Sequence, residues 1–119
     1  MCNVLVIDDE EMVRDLLKQA LSRVDVVVET VGDAEKGMAK FDNGAFDLVI
    51  TDVRMPGVDG HRILHHIRKS KRNRTPVIGV SGTPWLLSKG DFDDVLHKPF
   101  AIRHLLDKVH CLTHPVSEN

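Results

Sequence analysis

The sequence predicts one doubly wound α/β domain, a five-stranded parallel sheet with helices on both faces. Short apolar runs alternate with longer stretches of helical spacing, which is the pattern of βαβ units joined by right-handed crossovers. The runs Val4-Leu5-Val6-Ile7 and Leu48-Val49-Ile50 are apolar without alternation, as strands buried on both faces require. Polar, chemically capable residues follow the strand ends in turn: Asp8 and Asp9, then Asp52, then Ser81, then Lys98.

Each element has its own signal. After the first strand, Met12, Val13, Leu16, Leu17, Ala20, Leu21 and Val24 form one apolar stripe of a helix. The acids Asp8 to Glu11 suit that helix's N-terminus, and one of them is expected to cap it. Val26-Val27-Val28 reads as the second strand. Asp33 is placed to cap a helix carrying Met38 and Phe41, closed by Asn43-Gly44. The third strand ends at Asp52, and Pro56-Gly57 turn the chain away. A third helix follows Gly60 with Ile63, Leu64 and Ile67 inward and a basic end from Arg68 to Arg74. Pro76 to Ser81 is the fourth strand and Val95-Leu96 a short fifth, ending at His97-Lys98-Pro99. Between them Gly82, Pro84, Ser88 and Gly90 leave room for a shortened fourth helix of about one to two turns. Ile102, Leu105, Leu106, Val109 and Leu112 line one side of the last helix.

With 119 residues the chain suits a single domain over 1–114, followed by a C-terminal tail over 115–119 that begins at helix-ending Pro115. It is 42% hydrophobic and 29% charged with net charge -2, which favours neither direct nucleic-acid binding nor an acidic tail protein. No apolar run approaches a membrane span, and Met1 leads almost directly into a strand. Cys2 and Cys111 lie at opposite ends of the sequence, and free thiols in a reducing cytoplasm are the expectation.

In a parallel sheet the strand ends share one edge, so Asp8, Asp9, Asp52, Ser81 and Lys98 converge. Carboxylates crowded there repel, and a hard divalent cation with oxygen ligands, Mg²⁺, relieves the repulsion. The cation and Lys98 supply positive charge for a phosphoryl group, and Ser81 supplies a hydroxyl donor. Asp52, central among the ends, is placed to act as a nucleophile and form an acyl phosphate.

These residues sit in motifs that resemble the receiver domains of response regulators in two-component signalling, over essentially the full chain. The matching pieces are Val4 to Glu10, Asp47 to Gly60, Pro76-Val77-Ile78 with Ser81, and Lys98-Pro99-Phe100. The resemblance implies a flavodoxin-like strand order 2-1-3-4-5. It implies that Asp52 is the phosphoacceptor, taking the group from a histidine kinase or histidine phosphotransfer protein in a phosphorelay. It implies that Asp9, Asp52 and the Arg54 backbone carbonyl bind Mg²⁺ directly, and that Asp8 contributes largely through water. Ser81 and Lys98 then contact the phosphoryl oxygens. A cis peptide bond is expected between Lys98 and Pro99. A cytoplasmic monomer or weak dimer with a downstream protein target completes the expectation.

Two departures concern the switch. The family's aromatic switch position, three residues before the lysine, holds Val95. The segment between Ser81 and Lys98 is also short. Trp85, the only tryptophan, lies four residues after Ser81. Two readings of Trp85 follow: the Ser81–Trp85 loop is displaced as the readout of phosphorylation, or Trp85 plugs the core gap left by the short helix.

Competing assignments have weaker support. A Mg²⁺-dependent phosphohydrolase with an aspartyl nucleophile usually carries a second acid two residues past it, where this chain has Arg54. A degenerate receiver acting only as a protein-binding module would not need Asp8, Asp9, Asp52, Ser81 and Lys98 together. His61 and His65 have metal-binding spacing but no third ligand nearby, and the basic end of the third helix lacks interleaved aromatics. No P-loop or GxGxxG is present.

Overall fold

The computed structural model describes residues 2–55, 58–82 and 92–114. Its elements in order are β1 (Cys2–Ile7), α1 (Glu11–Ser22), β2 (Val26–Val31), α2 (Ala34–Asn43), β3 (Leu48–Asp52), β4 (Arg54–Met55), β5 (Val58–Asp59), α3 (Gly60–Arg68), β6 (Val77–Ser81), β7 (Asp94–His97) and α4 (Ile102–Thr113). The five long strands are parallel in the order β2-β1-β3-β6-β7, the 2-1-3-4-5 arrangement expected. β4 and β5 form a two-residue antiparallel ladder that the sequence reading did not anticipate.

The central strands have no polar face. Every residue of β3 and β6 is buried, and Val4 to Ile7 of β1 are fully buried. On one side Leu5, Ile7 and Val49 pack against Ala34 and Phe41 of α2 and Ile63, Leu64 and Ile67 of α3. On the other, Val4, Val6, Ile50 and Val80 pack against Leu17 and Leu21 of α1 and Leu105 and Val109 of α4. Removing such side chains from water supplies the main drive for this packing.

Strand register positions the site. Ile7 lies opposite Thr51, so the next residues, Asp8 and Asp52, leave the sheet level with each other. Asp52 pairs with Val80, and Ser81 pairs with His97, so Ser81 and Lys98 emerge one step further on. The Lys98 N–H donates to the Ser81 carbonyl at 2.7 Å, and the Lys98–Pro99 bond is cis, as expected. Gly60 is needed where α3 begins: a Cβ there would lie 2.7 Å from the Asp52 carbonyl oxygen and 2.9 Å from the Val53 Cα.

Three local expectations need correction. The α1 stripe is only partly core: Leu17, Ala20 and Leu21 are buried, but Met12 is 85% exposed and Leu16 is exposed too. Val13 is partly buried against the cluster that holds Leu17 and Leu21, so the exposed part of the stripe is Met12, Leu16 and Val24. None of the acids caps α1 through its side chain; Glu10 occupies the N-cap position, and its carboxylate turns toward Lys98 instead. Asp33, by contrast, caps α2 as expected, accepting from the Lys36 N–H at 2.7 Å. Phe92 is the third correction. It is a buried aromatic core residue packed over Gly79 and met edge-on by His61, in a stretch where only Trp85 had stood out. The shortened fourth helix, Pro84, Trp85 and the tail 115–119 lie outside the described residues. Among the described residues, no helix is long and apolar enough to cross a membrane.

Candidate functional site

The carboxyl edge of the sheet gathers the polar residues that the strand ends release. Asp8 and Asp52 are 2% and 5% exposed, while Asp9 and Glu10 stay open to solvent. Carboxylate oxygens of Asp8, Asp9, Glu10 and Asp52 all lie within 4.8 Å of one another. Lys98 reaches into this group from the end of β7. Its Nζ donates to Glu10 Oε1 at 3.0 Å, Asp8 Oδ2 at 3.1 Å and Asp52 Oδ2 at 3.3 Å.

Backbone and side-chain hydrogen bonds hold the acids in place. Asp8 Oδ1 accepts from the Glu10 N–H at 2.9 Å, and Asp52 Oδ1 accepts from the Arg54 N–H at 3.1 Å. Each buried carboxylate therefore keeps one oxygen on the backbone and the other on Lys98. Arg14, one helical turn after Glu10, donates from Nη1 to the Asp8 carbonyl at 2.8 Å. Thr51 donates its hydroxyl to the Asp52 carbonyl at 3.0 Å.

The electrostatics are unbalanced. Burial pushes the Asp52 carboxyl above the usual carboxylate range, and the neighbouring charge of Asp8 pushes it further, against the Arg54 N–H and Lys98. Burial likewise raises Asp8, against the Glu10 N–H and Lys98. For Lys98, burial alone would depress the ammonium. The Glu10 hydrogen bond and the charges of Asp8 and Asp52 outweigh it and hold the ammonium well above its ordinary value. One lysine cannot neutralise the acids around it, and a pocket with surplus carboxylate oxygen suits a hard divalent cation such as Mg²⁺.

Asp8, Asp9, Asp52 and Lys98 thus converge as the sequence predicts. Ser81 is buried at the end of β6, its backbone paired to Lys98, and Arg54 follows immediately at β4. Val95 is half-buried, opposite Gly79, and packs on the core cluster that holds Phe92. Two participants were missed. Glu10 read only as a helix-start acid, although it directly follows Asp8 and Asp9. Arg14 had no local signal, because its guanidinium reaches back from the first turn of α1 to the Asp8 carbonyl six residues earlier.

The histidines of α3 form no such centre. His66 pairs with Asp42 at 2.8 Å, and His61 lies against Phe92. Among the described residues, the four acids at the sheet edge are the one grouping with metal-ligand proximity.

Comparison with known proteins agrees with this geometry. The family described as "Response regulator receiver domain" matches residues 4–110. The transcriptional regulatory protein TcrA of Mycobacterium tuberculosis is 32% identical over 115 residues, covering 92% of this chain and 45% of that protein. ResD of Bacillus subtilis is 30% identical, covering 97% of this chain and 49% of that protein. The chain therefore spans about half the length of these curated relatives. Among solved structures, the response regulator TrrA of Thermotoga maritima, determined in complex with Mg²⁺ and BeF, superposes with TM-score 0.87 at 34% identity, covering 94% of this chain and 99% of that one. The Vibrio cholerae chemotaxis protein CheY4 gives 0.86 at 27% identity, covering 94% and 98%. The chain belongs to the receiver domains of two-component response regulators.

Proposed function

We propose that this receiver domain is a phosphoacceptor switch in which Asp52 takes a phosphoryl group from a histidine kinase or a histidine phosphotransfer protein. The observation that carries the proposal is the placement of Lys98 Nζ between two buried carboxylates, Asp8 and Asp52. An Asp52 oxygen attacks phosphorus, the bond from phosphorus to the donor nitrogen breaks, and the imidazole keeps the electron pair. No general base is required, because the nucleophile is already a carboxylate. Positioning and charge neutralisation carry such a transfer.

Asp9, Asp52 and the Arg54 backbone carbonyl would hold Mg²⁺, with Asp8 contributing largely through water. When bound, the cation neutralises charge on the transferring phosphoryl oxygens. Lys98 supplies a point charge and Ser81 a hydroxyl to those oxygens. The same groups let the protein assist its own phosphorylation and dephosphorylation. The readout proposed is displacement of the loop from Ser81 to Trp85, since Val95 has little χ1 freedom with which to rotate. We take the domain as 1–114, acting in the cytoplasm as a monomer or weak dimer upon a protein target.

Incubation with acetyl phosphate and Mg²⁺ tests the proposal. One phosphate should appear by intact mass, chelation should suppress it, and Asp52→Asn should abolish it. Steady turnover of small phosphate esters without accumulation of phosphoprotein would favour a phosphohydrolase instead.

A further inference from the structure

The inference rests on the phosphoacceptor reading of Asp52 and extends it to a residue that has no part in it so far. An ammonium group has three N–H donors and no acceptor. Those of Lys98 are matched by acceptors on Asp8, Glu10 and Asp52 at 3.1, 3.0 and 3.3 Å. A phosphoryl oxygen on Asp52 that takes a hydrogen bond from Lys98 must displace one of them.

The three acceptors differ in what release costs. The side chains of Asp8 and Asp52 are 3% and 7% exposed, and a buried carboxylate deprived of its partner is strongly penalised. The Glu10 side chain is 59% exposed, so water replaces the lysine there at little cost. Its backbone is pinned meanwhile. The Glu10 N–H is held by Asp8, and its carbonyl accepts from the Val13 and Arg14 N–H groups at 3.1 Å each. The side chain makes no capping bond to α1, so the helix does not require it.

We propose that Glu10 is a positioning residue that occupies the third donor of Lys98 in the resting state and is exchanged for a phosphoryl oxygen when Asp52 is phosphorylated. Glu10 thereby keeps the ammonium aimed into the pocket and opposes phosphorylation by the strength of one half-exposed ion pair.

The test compares Glu10→Gln with Glu11→Gln. Glu11 carries the same charge in the first turn of α1, so it controls for general electrostatics. Beryllofluoride, at saturating Mg²⁺, is the phosphoryl mimic, and its affinity is measured by calorimetry. Glu10→Gln should bind it roughly 2- to 5-fold more tightly than the parent, the range of a half-exposed ion pair. It should take up phosphate from acetyl phosphate faster by a similar factor, and Glu11→Gln should stay near the parent in both. In metal-free protein the Lys98 Nζ nitrogen resonance should shift in Glu10→Gln and not in Glu11→Gln, with the melting temperature held. If Glu10→Gln binds beryllofluoride no more tightly than Glu11→Gln, in protein that labels normally on Asp52, the exchange is refuted and the phosphoacceptor reading stands. If the parent fails to label, or Asp52→Asn labels equally, both are overturned.

Discussion

β3 crosses two regions built on different terms. From Leu48 to Ile50 its side chains enter the two apolar clusters on either side of the sheet. Two residues later, Asp52 is just as buried but faces Asp8, with Lys98 as their shared cation. The interior stabilises the fold by removing apolar surface from water. The edge spends part of that stability on desolvating carboxylates whose ionised forms burial disfavours. The contrast teaches that the two regions answer to different requirements: one holds the strands in register, and the other gathers like charges around a single ammonium.

Substitutions sharpen the comparison, beginning with the interior. Ile50→Ala removes a side chain 1% exposed and should cost about 3 kcal/mol in urea unfolding. A loss below about 1 kcal/mol would mean that the strand is not locked as described. At the edge, Lys98→Met leaves the acids without their cation and should cost about 2 kcal/mol in chelator. Added Mg²⁺ should restore more stability to this variant than to the parent, because the ion then does the work of the missing ammonium. Equal stabilisation of both would count against a cation site among Asp8, Asp9 and Asp52.

Asp52→Asn should act in the opposite direction, raising the stability of the metal-free protein at neutral pH. The sign follows from the raised carboxyl. The folded state holds the Asp52 proton more tightly than the unfolded state does. That contribution is therefore complete below the ordinary carboxylate range and is lost as pH rises through the raised folded value. The parent should lose stability across that window, and the variant should lose less of it. A destabilised Asp52→Asn would break the distinction drawn between interior and edge.

Much of this was legible in the sequence because it rests on local patterns. Unbroken short runs such as Val4 to Ile7, bounded by polar residues, fit a strand covered on both faces, and alternation with helices then favours a parallel sheet. A parallel sheet brings Asp8, Asp52, Ser81 and Lys98 to one edge. What remained hidden depends on partners distant in the chain. Glu10 and Lys98 are separated by 88 residues, so nothing in the local spacing shows that this acid turns from capping α1 to the lysine. The inward packing of Phe92 on Gly79 depends likewise on the register of two strands. Met12 looked like core because helical periodicity marks a face but does not say how far the neighbouring helix covers it.

The central claim is that Asp52, among the crowded acids, receives the phosphoryl group. Borohydride reduction of protein labelled with acetyl phosphate and Mg²⁺ converts an aspartyl phosphate to homoserine, which peptide mapping locates. The account predicts homoserine at position 52 and unmodified Asp8 and Asp9. Homoserine at position 8 or 9, with Asp52 intact, would contradict it.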